Sequence, residues 1–269
     1  MPTTYYYVDG VAIHTYYTGT TILPGTPLPK EKGQAVLFVH GAGGNGHVWV
    51  EIMAQLATAH SPVAIDLPAH GRSGGLLAAE SIEAYCDIVD KFIEVTQFKP
   101  FVFVGHSMGG AIAQVYALRH PEKLRGLVLS STGARLRVLP ETLALWKDAA
   151  MGRPVNVYTR VAYSDKTPME VVRRGWMEQR KTDPRVRLGD LLACDRFDYM
   201  EAIKAIRVPT LVLCGTDDVV TPPKYAEYLQ RQIPGAQLVM IPDAGHITYL
   251  EQPQAVTKAI ADFLAQLAA

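Results

Sequence analysis

An α/β fold, with a mostly parallel sheet covered by helices on both faces, is the class that this sequence predicts. It is preceded by an N-terminal β-hairpin and interrupted by one helical insertion. From residue 35 onward, short apolar runs alternate with longer segments whose apolar residues recur every three or four positions. That alternation is the pattern of buried parallel strands joined by covering helices. A second observation is the pair Asp9-Gly10 between two tyrosine- and β-branched-rich segments, which favours a two-residue hairpin turn. The third is a connection of about eighty residues between the runs ending near Leu129 and beginning near Thr210, far too long for an ordinary loop.

Taken in order, residues 4–8 and 11–18 form the expected hairpin. Residues 19–34 hold Pro24, Pro27, Pro29 and three glycines, a composition that breaks helix and strand alike and makes this stretch a connector. Strands are expected at 35–39, 62–65, 101–104, 126–129, 210–213 and 237–241, and helices at 47–58, 81–97, 108–119, 223–232 and 253–267. Residues 1–133 and 205–269 then make the core, and residues 134–204 make a helical cap insertion. No internal repeat or low-complexity tract is apparent.

Of the 269 residues, 48% are hydrophobic, ample for a large buried core. Lys+Arg and Asp+Glu both number 26, so no long-range field draws the chain to nucleic acid or to an anionic membrane. A small apolar substrate is the expected partner, and the chain is expected to be a monomer or homodimer. Cys86, Cys194 and Cys214 are widely spaced and lie in apolar or helical contexts, which suits reduced core thiols. The first residues lack a basic and an apolar signal region, and no run of about eighteen apolar residues occurs. A cytoplasmic location is the resulting expectation.

Chemistry concentrates at Gly105-His106-Ser107-Met108-Gly109, directly after the apolar run 101–104. A serine on a sharp strand-to-helix turn is strained and exposed, and glycines two residues to either side remove collisions. The small-then-apolar run that follows puts Ser107 at a helix N-terminus, where backbone N–H groups are unpaired. A serine hydroxyl needs a base, and that base needs an orienting acid. In a parallel sheet the residues just after strands converge on one edge. Two further loops qualify there: Asp217 and Asp218, which follow the 210–213 strand, and His246, which follows the 237–241 strand. The chain order is then Ser, Asp, His.

With these motifs the chain resembles the α/β-hydrolase superfamily, over nearly its whole length from His40-Gly41 to the final helix. The resemblance implies a serine hydrolase of carboxylesterase type. It selects Asp218 as the acid, three residues after the strand-end Gly215 and four before Pro222, with Asp217 as the alternative. His246 is the implied base and Ser107 the nucleophile. An oxyanion needs a second donor besides the Met108 N–H, and the family's His-Gly motif assigns it to the Ala42 N–H within His40-Gly41-Ala42-Gly43-Gly44. His40 is expected to order that loop, and Trp49 to pack. The segment from Asp66 to Ser73 matches a structural family motif, with Ala69 where relatives usually carry glycine.

The insertion is expected to set specificity. Trp146, Met151, Tyr163 and Trp176 are its candidate substrate contacts. Its ten arginines, Arg135 to Arg196, are expected to form a solvated face with the segment's carboxylates. The expected reaction is cleavage of a carboxylic ester, with no metal or organic cofactor implied. Lactonase, perhydrolase or haloperoxidase-like and carbon–carbon hydrolase activities share the same serine core. A ligand receptor that kept the fold without the chemistry is the rival from another class.

Overall fold

The computed structural model describes residues 1–267. Eight strands build one sheet: β1 (Thr3–Val8), β2 (Val11–Tyr17), β3 (Ala35–Val39), β4 (Ser61–Ile65), β5 (Phe101–His106), β6 (Leu124–Ser130), β7 (Thr210–Gly215) and β8 (Gln237–Ile241). They lie in the order β1-β2-β4-β3-β5-β6-β7-β8. The β1–β2 hairpin turns at Asp9 and Gly10, whose φ angles of 49° and 80° suit a primed turn. β2 pairs antiparallel with β4, and every pair from β4 to β8 is parallel.

Successive side chains on a strand point to opposite faces, and the core divides accordingly. Leu37, Val39, Phe101, Phe103, Leu127 and Leu129 pack on one side with α2 (Ile82–Thr96) and α3 (Met108–Arg119). Val36, Phe38, Val102, Val104 and Val128 pack on the other side, beneath α1 (Val50–Leu56) and a helix near the C-terminus. Both faces are covered, as the uninterrupted apolar runs require.

The excursion between β6 and β7 contains three helices: α4 (Pro140–Ala150), α5 (Met169–Gln179) and α6 (Pro184–Arg196). Its two ends meet. Tyr199 N–H donates to Ala134 O at 2.7 Å, Leu136 N–H donates to Phe197 O at 3.3 Å, and Arg135 and Asp198 form an isolated bridge. Three more helices follow: α7 (Pro223–Gln232), the short α8 (Thr248–Glu251) and α9 (Pro253–Leu267).

The structure departs from the sequence expectation at a few boundaries. The helix expected at 47–58 is a 3₁₀ turn, Gly46–Trp49, followed by α1. A second departure is α8, which the periodicity does not announce. It is only four residues long and ends where Pro253 disfavours helix at the residue before it. All three cysteines are buried and unpaired. Among the described residues no helix is long and apolar enough to cross a membrane.

The turn carrying Ala69 is strained. Ala69 has φ of 65°, in the left-handed region that a Cβ disfavours, and its N–H donates to Gly74 O at 2.7 Å. Placing glycine there removes the strain but adds freedom to the unfolded chain. Ala69→Gly is therefore expected to stabilise by up to about 1 kcal/mol, raising the thermal midpoint by roughly 2–4 °C. Differential scanning calorimetry of the two proteins reads this directly.

Candidate active site

The edge of the sheet where the parallel strands end gathers three loops. At the first, Ser107 joins β5 to α3 with φ of 52° and ψ of −114°, a strained conformation for a side-chain-bearing residue. A Cβ on Gly105 would overlap the backbone of Gly109, and one on Gly109 would overlap the carbonyls of Val39 and His40. Hydrogen bonds fix the main chain around the serine. Ser107 N–H donates to Ser130 O at 2.9 Å, and Ser107 O accepts from Gly110 N, Ala111 N and Thr132 Oγ1. Among the described residues nothing hydrogen-bonds Ser107 Oγ, so the hydroxyl is uncommitted.

At the second and third loops, His246 Nδ1–H donates to Asp218 Oδ2 at 3.0 Å. Both side chains are almost fully buried. Asp218 also accepts from Val220 N and Thr221 N at 2.8 Å each, and from Thr221 Oγ1 at 2.8 Å. Burial raises its pKa, but the His246 charge and these hydrogen bonds outweigh burial and hold it below the ordinary carboxylate value. The neighbouring Asp217 is turned away and accepts from Ser164 Oγ at 2.6 Å. The structure thus brings Asp218, and not Asp217, to His246.

His106 connects the elbow to the His246 loop. Its Nε2–H donates to the His246 carbonyl at 2.9 Å, and burial, then the His246 charge, lower its pKa to about 3. It is a neutral strut. Tyr249 packs against His106, with ring centroids 4.9 Å apart, and against Trp49 at 4.7 Å.

The glycine-rich loop after β3 stands beside the elbow, where a Cβ on Gly41 would lie 3.0 Å from Ser107 Cβ. His40 orders this loop. Its Nδ1–H donates to Gly41 O at 2.8 Å while Nε2 accepts from Leu67 N at 3.1 Å, and burial followed by the His70 charge lowers its pKa to about 4. Gly43 N–H is committed to Asp190 Oδ2 at 2.8 Å. Among the described residues the Ala42 N–H has no partner, and the Met108 N–H, first in α3, has no carbonyl one turn earlier to bond. Two amides beside Ser107 are therefore unspent.

Asp190 is a residue that sequence reasoning missed. It comes from α6, is fully buried, and binds His70 Nε2 at 2.7 Å and Tyr85 Oη at 2.5 Å besides Gly43. Burial opposes both charges of the pair, yet their mutual attraction raises the His70 pKa and lowers that of Asp190. Glu251 was missed too. Its carboxylate accepts from Gly245 N and Ile247 N, which flank His246, and from Ser164 N and Thr167 Oγ1 in the insertion.

The four insertion residues singled out in the sequence lie in different settings. Trp146 is 8% exposed and lies under the Arg187 guanidinium, whose carbon is 4.5 Å from a Trp146 ring centroid. Tyr163 is buried with its hydroxyl unpartnered. Trp176 is half-buried and donates its indole N–H to Thr159 O at 3.1 Å. Met151 is 52% exposed at the end of α4. Among the described residues no three His, Cys, Asp or Glu side chains form a group suited to a metal ion.

Comparisons with known proteins identify the fold and the family. The sequence profile of the alpha/beta hydrolase family matches residues 36–259. The chain is 31% identical over 247 residues to a pimeloyl-[acyl-carrier protein] methyl ester esterase from Neisseria meningitidis serogroup A, covering 85% of this chain and 76% of that one. A solved thermophilic esterase is 34% identical with a TM-score of 0.80, covering 99% of this chain and 98% of the other. A solved enzyme described as degrading N-acyl homoserine lactones is 27% identical, also with a TM-score of 0.80, over 97% of this chain and 100% of the other. The chain belongs to the alpha/beta hydrolase family.

Proposed function

We propose that this chain is a serine ester hydrolase that works through an acyl-enzyme, with Ser107, His246 and Asp218 as its triad. The observation that carries the reading is the buried His246–Asp218 pair at 3.0 Å, facing the same strand edge as a strained, uncommitted serine. Because Nδ1 keeps its proton against Asp218, Nε2 is left as the base. Ser107 Oγ attacks the ester carbonyl as His246 Nε2 takes the hydroxyl proton. The amides of Ala42 and Met108 receive the negative charge that develops on the carbonyl oxygen. Collapse of the tetrahedral intermediate expels the alcohol, which takes the proton from His246. Water then repeats the sequence against the acyl-enzyme, with His246 taking its proton, and releases the acid.

The methyl ester esterase and the thermophilic esterase support an acyclic carboxylic ester as substrate. The lactone-degrading neighbour favours a second reading, lactone opening, in which the expelled alcohol stays tethered to the acyl group. Residues 134–204 act in this proposal as the cap that encloses a small substrate, on a core of residues 1–133 and 205–269. Asp190 and Glu251 are positioning residues: one holds the Ala42 loop through Gly43, the other holds the His246 loop.

A fluorophosphonate probe tests the central claim. Stoichiometric labelling is expected, with loss of both labelling and turnover, by more than about a thousandfold, in Ser107→Ala. Absence of Ser107-dependent labelling would refute the reading. For the acid, Asp218→Asn is expected to lower kcat by about ten-thousandfold, while Asp217→Asn changes it by less than about tenfold. The reverse ranking in p-nitrophenyl ester assays would reassign the acid.

Asp190→Asn separates positioning from chemistry. Breaking a buried charge pair costs about 3 kcal/mol or more, so a lower thermal midpoint is expected together with slower turnover. The sign of the pH dependence follows from the two shifts. The depressed Asp190 contributes stability that is present above the ordinary carboxylate pKa of about 3.9 and lost as pH falls. The elevated His70 contributes stability that is complete below about pH 6.5 and lost as pH rises through its folded value. The stability gap between wild type and Asp190→Asn should therefore be widest from about pH 4 to 6.5 and narrow on the alkaline side.

A further inference from the structure

One cation in the insertion departs from the solvated arginine face expected of the sequence. Six of the insertion's ten arginines form ion pairs with carboxylates, and Arg173, Arg180 and Arg196 are exposed. Arg187 is neither. It is half-buried, its Nε is buried without a partner, and among the described residues its guanidinium makes no ion pair and no hydrogen bond. An arginine carries five donors in a rigid fork matched to a carboxylate. Burying the Nε–H with no acceptor is costly, and stacking on Trp146 satisfies the ring face of the cation, not its N–H groups.

Nearby groups leave the fork free. Asp190 is the acid whose field reaches Arg187, but its oxygens are occupied by His70, Tyr85 and Gly43. Other groups whose fields reach it are neutral: the hydroxyls of Tyr158, Tyr163 and Tyr249 and the thiol of Cys194. The Tyr163 hydroxyl is itself buried and unpartnered.

Its position points to substrate. A Cβ on Gly43 would lie 2.6 Å from Arg187 Cδ and 2.9 Å from Nη1, whereas one on Gly41 would lie 3.0 Å from Ser107 Cβ. Gly41 and Gly43 are two peptide units apart, hence about 7 Å at most between Cα atoms. Ser107 and Arg187 thus flank opposite ends of a three-residue loop whose middle member, Ala42, has an unspent amide.

We propose that Arg187 is a specificity residue that binds a carboxylate carried by the substrate a few bonds from the scissile ester, so that the favoured substrates are monoesters of short dicarboxylic acids. This rests on the ester-hydrolase reading above. A site built around an unpaired donor fork rejects an analogue lacking the charge, because the buried Nε–H stays unbonded and the cation stays without a counter-charge.

The test compares monomethyl glutarate with methyl glutaramate, in which a neutral amide of the same shape replaces the free carboxylate. In wild type, kcat/KM is expected to favour the anionic ester by about tenfold or more. In Arg187→Met, which keeps the apolar stem, that preference is expected to vanish while turnover of methyl glutaramate stays within about threefold. Glutarate should inhibit p-nitrophenyl acetate hydrolysis competitively in wild type and lose that inhibition in Arg187→Met. Equal use of the two esters by wild type would overturn the proposal without needing any variant, and so would a preference that survives in Arg187→Met. Absence of Ser107-dependent turnover on every ester, p-nitrophenyl acetate included, would instead bring down the hydrolase reading beneath it.

Discussion

Backbone packs directly on backbone where α3 leaves β5. Gly105 lies against Gly109, and Gly109 lies against the carbonyls of Val39 and His40, with no Cβ between them. This contact holds Ser107 at φ of 52°, and it also sets the spacing between the elbow and the loop after β3. The strain at one residue is small beside the two-sided core that imposes it. Val102 and Val104 are packed beneath one layer of helices and Phe101 and Phe103 beneath the other, so β5 has no freedom to relax the turn at its end.

The same economy of contacts governs the histidines. His40 and His106 are buried, neutral and fixed as single tautomers by carbonyl partners, and each shapes a loop rather than exchanging protons. His70 is the opposite case, a buried imidazole drawn toward its charged form by Asp190. His246 differs from all three in having one nitrogen committed to a carboxylate and the other uncommitted. Four histidines within one strand edge thus have four distinct settings, each fixed by the partner of a ring nitrogen.

Sequence legibility followed the range of the interactions. The hairpin, the parallel strands and the elbow glycines are local, and periodicity or spacing exposes them. The choice between Asp217 and Asp218 is not local, because adjacent carboxylates differ only in which distant group they face: Ser164 for one and His246 for the other. Asp190 was illegible for the same reason, since its partners Gly43 and His70 are 147 and 120 positions away. Glu251 gave no signal either, although it sits only five residues after His246. Half of its hydrogen bonding goes to an insertion segment 87 and 84 positions upstream. Arg187 looked like any of ten arginines until burial separated it from the rest.

The Glu251 carboxylate bears on how this architecture can be recombined. It bonds main-chain amides of the His246 loop and the Ser164 amide in the insertion at once, while Asp217 bonds the Ser164 hydroxyl. The insertion is therefore wired into the loop that carries His246, in addition to its covalent ends near Ala134 and Tyr199. Grafting a foreign helical segment between β6 and β7 would leave a half-buried acid short of its two insertion donors and loosen the histidine it steadies. New specificity in this scaffold is better sought by exchanging side chains on α4 and α6 than by transplanting the whole excursion.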